Sequence, residues 1–287
     1  MGSGGYSSDS RQARAQSSGY HTKSKEQIFK QRRIHPEMSP LNLKIRESRD
    51  SAEHPESIAI IIALDETGSM GTIPHDFIKD GLPTIMQTII DAGIPDPQVL
   101  FLGVGDHFQD SYPIQVGQFE SSDELLDYWL EKIYLEGGGG GNGGESYSLA
   151  HYVAAHHTSI DCFEKRGQKG FLFTIGDEHN HPNYHASAMK NLFNMPEAKH
   201  YTSEELIKAA QEKYHVFHID LSGGLSSWKK LLGERSISEG NYHNIPKIIA
   251  NTIVSLQKNN PVAKVEESIH SVAEVEEESS SDEKIIL

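Results

Sequence analysis

Cys162 is the only cysteine in this chain of 287 residues. No internal disulfide can form, so the fold rests on its packed core, as suits a reducing compartment. Long apolar runs are also missing. None approaches the roughly 20 residues that span a bilayer, and no membrane is expected as a partner. The N-terminal stretch lacks the apolar segment of a secretory signal. "MGSGGY" carries Tyr6 where the myristoylation pattern needs Ser or Thr. The expected location is therefore cytoplasmic. Basic residues are outnumbered: 26 Lys and Arg face 41 Asp and Glu, for a formal net charge of −15. That balance argues against nucleic acid as a partner and agrees with a cation-binding protein.

Hydrophobic residues make up 36% of the chain, and the shortage sits at the ends. Residues 1–55 are read as a flexible N-terminal arm, disordered over 1–24, with "SPLNLKIRES" able to lie extended on the domain. Residues 260–287 form an acidic, repetitive tail that is expected to be disordered. Residues 56–259 are long enough to bury a proper core as one domain.

Within that domain two hydrophobic periods alternate. "SIAIIIAL" is apolar on both faces, as in a central parallel strand. "PQVLFLGVGD", "KGFLFTIGDE" and "YHVFHIDL" read the same way, and "YPIQVGQF", with Pro113, reads as an edge strand. Between them lie helical patterns over 76–92, where Gly81 and Pro83 predict a kink, over "SSDELLDYWLEKIYL" and over 145–157. "TSEELIKAAQEKY" and "IPKIIANTIVSLQ" complete the set. Ser121 to Glu124 and Thr202 to Glu205 have capping-box spacing. The alternation predicts an α/β fold: a doubly wound, mostly parallel sheet with one antiparallel edge strand and helices on both faces.

Open α/β sheets bind ligands outside the carboxyl ends of their strands. Three oxygen-rich segments fall there: "DETGS" at 65–69, the Gly-rich loop "EGGGGGNGGES" at 136–146, and "TIGDEHN", with Asp177 just past a strand. If 65–69 stays extended, Asp65, Thr67 and Ser69 point the same way, and Asp177 approaches from a neighbouring strand. Hard oxygens in such a set suit Mg²⁺ or Mn²⁺. A cation would also remove the cost of burying carboxylates together.

"DETGSM" resembles the Asp-x-Ser/Thr-x-Ser signature of the von Willebrand factor type A domain family. The likeness spans roughly residues 56–258, with Asp177 in register. It implies a metal ion-dependent adhesion site in which Thr67 and Ser69 touch Mg²⁺ directly, while Asp65 and Asp177 sit near it, often through waters. The family supplies a threonine from the middle loop. Here Asn142 occupies that place, with Glu145 and Ser146 as substitutes. The wording of the motifs is most similar to bacterial cytoplasmic members. It implies a protein-binding domain that is not itself an enzyme, takes a partner's Asp or Glu through the metal, and works beside a MoxR-type AAA+ ATPase.

Other readings of the same residues remain open. Asp65 and the residues after it can be plain turn chemistry. Gly139, Gly141 and Gly144 satisfy G-x-G-x-x-G, but they follow a helix where a dinucleotide fingerprint follows the first strand. His179, His181 and His185 offer imidazoles suited to zinc, on a polar loop of a chain with 16 histidines. The alternative function is a haloacid dehalogenase-like phosphatase, with Asp65 as nucleophile and Mg²⁺ held by Asp65 and Asp177. Against it, Thr67 stands where the second acid belongs and Asn180 where the final one does.

Overall fold

The computed structural model describes residues 5–41, 43–70, 72–136, 143–195 and 197–258. Six strands build the main sheet: β1 (Ile58–Asp65), β2 (Pro97–Val104), β3 (Ile114–Val116), β4 (Gly170–Gly176), β5 (Tyr214–Asp220) and β6 (Ser236–Ser238). Their spatial order is β6-β5-β4-β1-β2-β3. All pairings are parallel except β3 on β2, which is antiparallel and lies at the edge. This is the expected doubly wound α/β sheet.

The alternation of β1 assigns each side chain to a layer. Ile58, Ile60, Ile62 and Leu64 face one apolar layer, together with helices Leu82–Asp91 and Ile245–Lys258. Ala59, Ile61 and Ala63 face the other, formed largely by helices Ser148–His156 and Ser203–Lys213. Every residue of β1 is buried, which is why it reads as one apolar run. Truncating Ile61, with no exposure at all, to alanine would cost about 2–5 kcal/mol.

The kink expected near Gly81 and Pro83 is a π-helical turn over Phe77–Gly81, between the short helix Ile73–Asp76 and Leu82–Asp91. Pro83 has no N–H for the carbonyl four residues earlier, and its ring crowds that carbonyl, so the ladder widens. The capping box at Thr202 and Glu205 is present. The one expected from Ser121 to Glu124 does not form. Ser122 caps the helix Asp123–Glu131, because the Ser121 hydroxyl is engaged with His54 Nε2 at 3.1 Å. The helix expected from residue 145 begins at Ser148. Glu145 pairs instead in a two-residue ladder, Gly144–Glu145 with His179–Asn180.

The arm departs most from expectation. Residues Ser8–Ser18 form a helix capped by Ser7 and lie against the domain. Ala15, Tyr20, Ile28, Phe29 and Met38 are buried with the β1 layer. Arg11 is 1% exposed, 3.2 Å from Asp127, and also donates to the Ile78 carbonyl. Further along, Arg46–Ser48 pairs in parallel with Thr158–Ile160. Local composition predicts disorder here because the anchors are few and scattered, and each finds its partner on a distant element. The tail 260–287 lies outside the described residues.

Candidate functional site

The sheet order reverses at β1, whose neighbours β2 and β4 lead away on opposite sides. The carboxyl ends of β1 and β4 therefore splay apart and leave a crevice, the usual ligand position in this architecture. Asp65 is the last residue of β1 and Asp177 follows the last residue of β4.

Asp65 has no solvent exposure. Its Oδ1 accepts from the Thr67 backbone N–H at 2.9 Å and from the Thr67 hydroxyl at 2.6 Å. Its Oδ2 accepts from the Tyr147 hydroxyl at 2.7 Å. Burial pushes the Asp65 carboxyl up to about 6, although these hydrogen bonds favour its charged form, and the charge of Asp177 adds to the rise. The sequence expectation of an extended run through 69 is corrected. The Asp65–Thr67 turn closes the strand, and Gly68–Met70 forms a 3₁₀ turn. Alternation thus holds only from 65 to 67. The hydroxyl of Thr67 donates to Asp65 and is held at the end of the strand by that bond. The Ser69 side chain and Asn142 lie outside the described residues.

An Asp-x-hydroxyl turn is not diagnostic alone. Asp220, at the end of β5, accepts from the Ser222 N–H and hydroxyl in the same manner. The two differ in the second oxygen. That of Asp220 is taken by the backbone N–H of Leu225, and that of Asp65 by a side chain from the middle loop.

That middle loop contributes more than its pattern suggests. Tyr147 is fully buried and reaches Asp65 across Gly176, where a Cβ would overlap the phenol oxygen. Glycine is needed there for this close approach. Glu145 is 3% exposed and its Oε2 has no hydrogen-bond partner. Burial, with the charges of Asp65, Asp110, Asp106 and Glu178, pushes its carboxyl up to about 9. Ser146 Oγ lies 2.6 Å from His107 Nδ1 and accepts from the His107 N–H at 2.9 Å.

Glu66, the residue between the two halves of the motif, points into a second acidic chamber. It is 2% exposed, receives a hydrogen bond from Gln115, and leaves Oε1 without a partner. Burial raises its pKa well above the usual carboxylate range, helped by the charges of Asp65, Glu136 and Asp110. Among the described residues, no lysine or arginine forms an ion pair with Asp65, Glu66 or Glu145. A cavity of about 490 Å³ opens beside Glu66, Thr67 and Gly68, and its far wall is arm residues that include Lys25, Lys30 and Arg32.

The histidines of 179–185 part company. His179 turns to Ser227 at 2.6 Å and His185 faces His200. His181 joins Asp106 and His107, a group with no spacing signal in the sequence. Tyr147 and Glu66 carry no such signal either, because their significance lies in which strand ends they meet, whereas Glu145 is among the middle-loop candidates. The glycine immediately before Asp177 was the one available hint.

No family model matches the chain, and no curated protein matches it. Among solved structures it is similar to the pilus adhesin SpaC from Lactobacillus rhamnosus GG. The identity is 10% and the TM-score 0.46, over 73% of this chain and 31% of the adhesin. It is also similar to proximal thread matrix protein 1 from the mussel byssus, at 12% identity and a TM-score of 0.45, over 69% of this chain and 48% of that one. An aerotolerance-related membrane protein from Bacteroides fragilis NCTC 9343, with multiple mutations to serines, gives 15% identity and a TM-score of 0.38. That match covers 69% of this chain and 99% of the other. The chain thus spans about a third of the adhesin and about half of the byssus protein. Similarity at this level carries no conclusion about what the chain binds.

Proposed function

We propose that the chain is a cation-dependent protein-binding domain of the von Willebrand factor A type. In this reading Mg²⁺ or Mn²⁺ sits over Thr67 and Ser69, with Asp65 and Asp177 behind it and Asn142 or Glu145 completing the set. An Asp or Glu of a partner protein fills the open position. The observation that carries the reading is a set of buried carboxylates, Asp65 and Glu145 at the crevice and Glu66 beside it, with no basic ion-pair partner among the described residues. Burying such groups costs several kcal/mol per uncompensated charge, which a divalent ion would offset. All donors are hard oxygens, the chemistry Mg²⁺ prefers. The unpartnered Glu145 Oε2 is a further acceptor for the ion or for a water on it.

Access supports a carboxylate ligand. The cavity beside Thr67 is walled by arm residues in which Lys25, Lys30 and Arg32 outnumber Glu26, a balance that draws an acidic side chain toward the crevice. The geometry favours binding over the phosphatase alternative. Asp65 is wholly buried and both its oxygens accept hydrogen bonds, so it presents no free face for in-line attack on phosphorus. A MoxR-type AAA+ ATPase is the partner class the sequence resemblance brings with it.

The test is thermal unfolding of the full chain with millimolar Mg²⁺ and with EDTA. Ligand at 100 times its Kd stabilises the fold by roughly 2.7 kcal/mol. The gain should appear in wild type and vanish in Thr67→Ala. Identical curves for wild type in Mg²⁺ and EDTA would remove the cation from the reading.

A further inference from the structure

Beside the crevice, and sharing no ligand with it, stands a second group of donors with different chemistry. Asp106, His107 and His181 each place one ligand atom within 4.8 Å of the other two. Three short segments carry them, and backbone hydrogen bonds stitch those segments together. Ser146 N donates to Gly105 O at 3.1 Å, and His181 N donates to Glu145 O at 3.0 Å. Asp106 closes its own turn, its carbonyl accepting from Gln109 and Asp110 at 3.2 and 2.8 Å. The donors are therefore fixed by main chain and do not depend on loop side chains to converge.

Ser146 takes up one ring nitrogen of His107 and leaves the other without a hydrogen-bond partner. Ser146 Oγ has two lone pairs. It accepts from the His107 backbone N–H and lies 2.6 Å from Nδ1, in position to accept from that ring nitrogen too. The tautomer with hydrogen on Nδ1 has a bare lone pair on Nε2. That Nε2 is buried and has no hydrogen-bond partner. The serine holds the ring plane of His107, as outer partners commonly do for a metal-binding imidazole. Stacking of the ring on Tyr184, with centroids 5.1 Å apart, holds that plane from the side.

We infer that Asp106, His107 and His181 form a Zn²⁺ site with three protein ligands and one open position. Two imidazoles and one carboxylate are a donor set that zinc accepts readily and Mg²⁺ does not favour. Tetrahedral zinc with bonds of about 2.0–2.1 Å separates its donors by about 3.4 Å. His181 Nε2 and Asp106 Oδ1 are now 2.8 Å apart, so a bound ion would spread them by a few tenths of an ångström. Asp106 is 1% exposed, and the His181 side chain is 12% exposed. The ligand set is shielded, and His181 lies on the side nearest solvent. Gly144 packs against that imidazole: a Cβ there would meet His181 Cε1 at 2.8 Å and Nδ1 at 3.0 Å.

The experiment uses the full chain, stripped of metal, and Zn²⁺ alone as the titrant, with Co²⁺ as a spectroscopic stand-in. One Zn²⁺ per chain is expected, and Co²⁺ should give the intense visible bands of four-coordination. His107→Gln and His181→Gln should each weaken binding at least about tenfold. Gly144→Ala, which keeps every ligand and crowds the ring, should weaken it as well. Asp65→Asn and millimolar Mg²⁺ should leave it unchanged, so failure of the Mg²⁺ reading would not touch this one. Imidazole nitrogen resonances of the wild type give a readout that needs no variant: two histidines should shift with zinc. The inference is overturned if wild type takes up no Zn²⁺, if Co²⁺ shows only the weak bands of six oxygen donors, or if binding survives both histidine substitutions.

Discussion

The Tyr147 hydroxyl donates to Asp65 Oδ2 at 2.7 Å, and it does so by passing over Gly176. One hydrogen bond thus joins the start of the helix Ser148–His156 to the end of β1, across the end of β4. Gly176→Ala puts a methyl group where the phenol lies. Overpacking of this kind costs about 1–3 kcal/mol, and the lost bond to a carboxylate about 1.5–3 kcal/mol more. Tyr147→Phe should show only the second part. Denaturant titration of the two variants separates them. Equal losses would mean that Tyr147 relaxes away from Gly176 without cost.

The metal-free protein should grow less stable as pH rises. Glu145, Asp65 and Glu66 all hold their protons more tightly folded than unfolded. The folded state therefore binds more protons, and stability is greatest below the unfolded acid constants. It falls as pH climbs from the ordinary carboxylate range through about 6 for Asp65 and on to about 9 for Glu145. Melting temperature in EDTA should be higher at pH 5 than at pH 8, and Mg²⁺ should narrow the difference. A flat profile would mean that these groups ionise freely in the native state.

Glu66→Gln isolates one contributor. The amide is nearly isosteric, keeps an acceptor for Gln115, and carries no charge. It should match wild type at pH 5 and exceed it at pH 8, with a shallower fall between. If it destabilises equally at both pH values, Glu66 is ionised in the fold and held by something other than its neighbours.

The arm should prove integral. Arg11→Ala leaves the buried Asp127 with only the partly exposed Arg14 at 3.9 Å, and the loss should approach the roughly 3–5 kcal/mol of a broken buried pair. Replacing both residues with apolar ones, Arg11→Met with Asp127→Leu, should recover most of it, since buried pairs often contribute little net stability. Deleting residues 1–24 should lower the melting temperature. An unchanged melt would mean that the helix Ser8–Ser18 docks without stabilising.

Much of the fold was legible because it depends on short periods. The eight residues of β1 alternate between two apolar layers and could be read as a central strand from composition alone. Pro83 announced the break in its helix by its missing N–H. What escaped was anything settled by distant partners. Ser121 looks like a cap until His54 takes its hydroxyl. The arm looks disordered until Arg11 finds Asp127. At the site, Asp65, Thr67 and Asp177 were readable as strand-end oxygens. Tyr147, Glu66 and the Asp106–His107–His181 group were not, since each is defined by the crossing of segments far apart in sequence. The extended run to 69 failed for a local reason: an aspartate two residues before a threonine closes a turn on itself.

The docked arm also has a consequence for biosynthesis. Tyr20 bonds to Glu131, 111 positions later, and Arg14 to Asp123, 109 positions later. A chain emerging from the ribosome presents the arm long before those acceptors exist. During that interval Tyr20 and Arg14 have no native partner, and their seating waits for synthesis of the helix Asp123–Glu131. Nascent-chain length, read against protection of the arm from protease, should therefore show a step after residue 131 has cleared the exit tunnel.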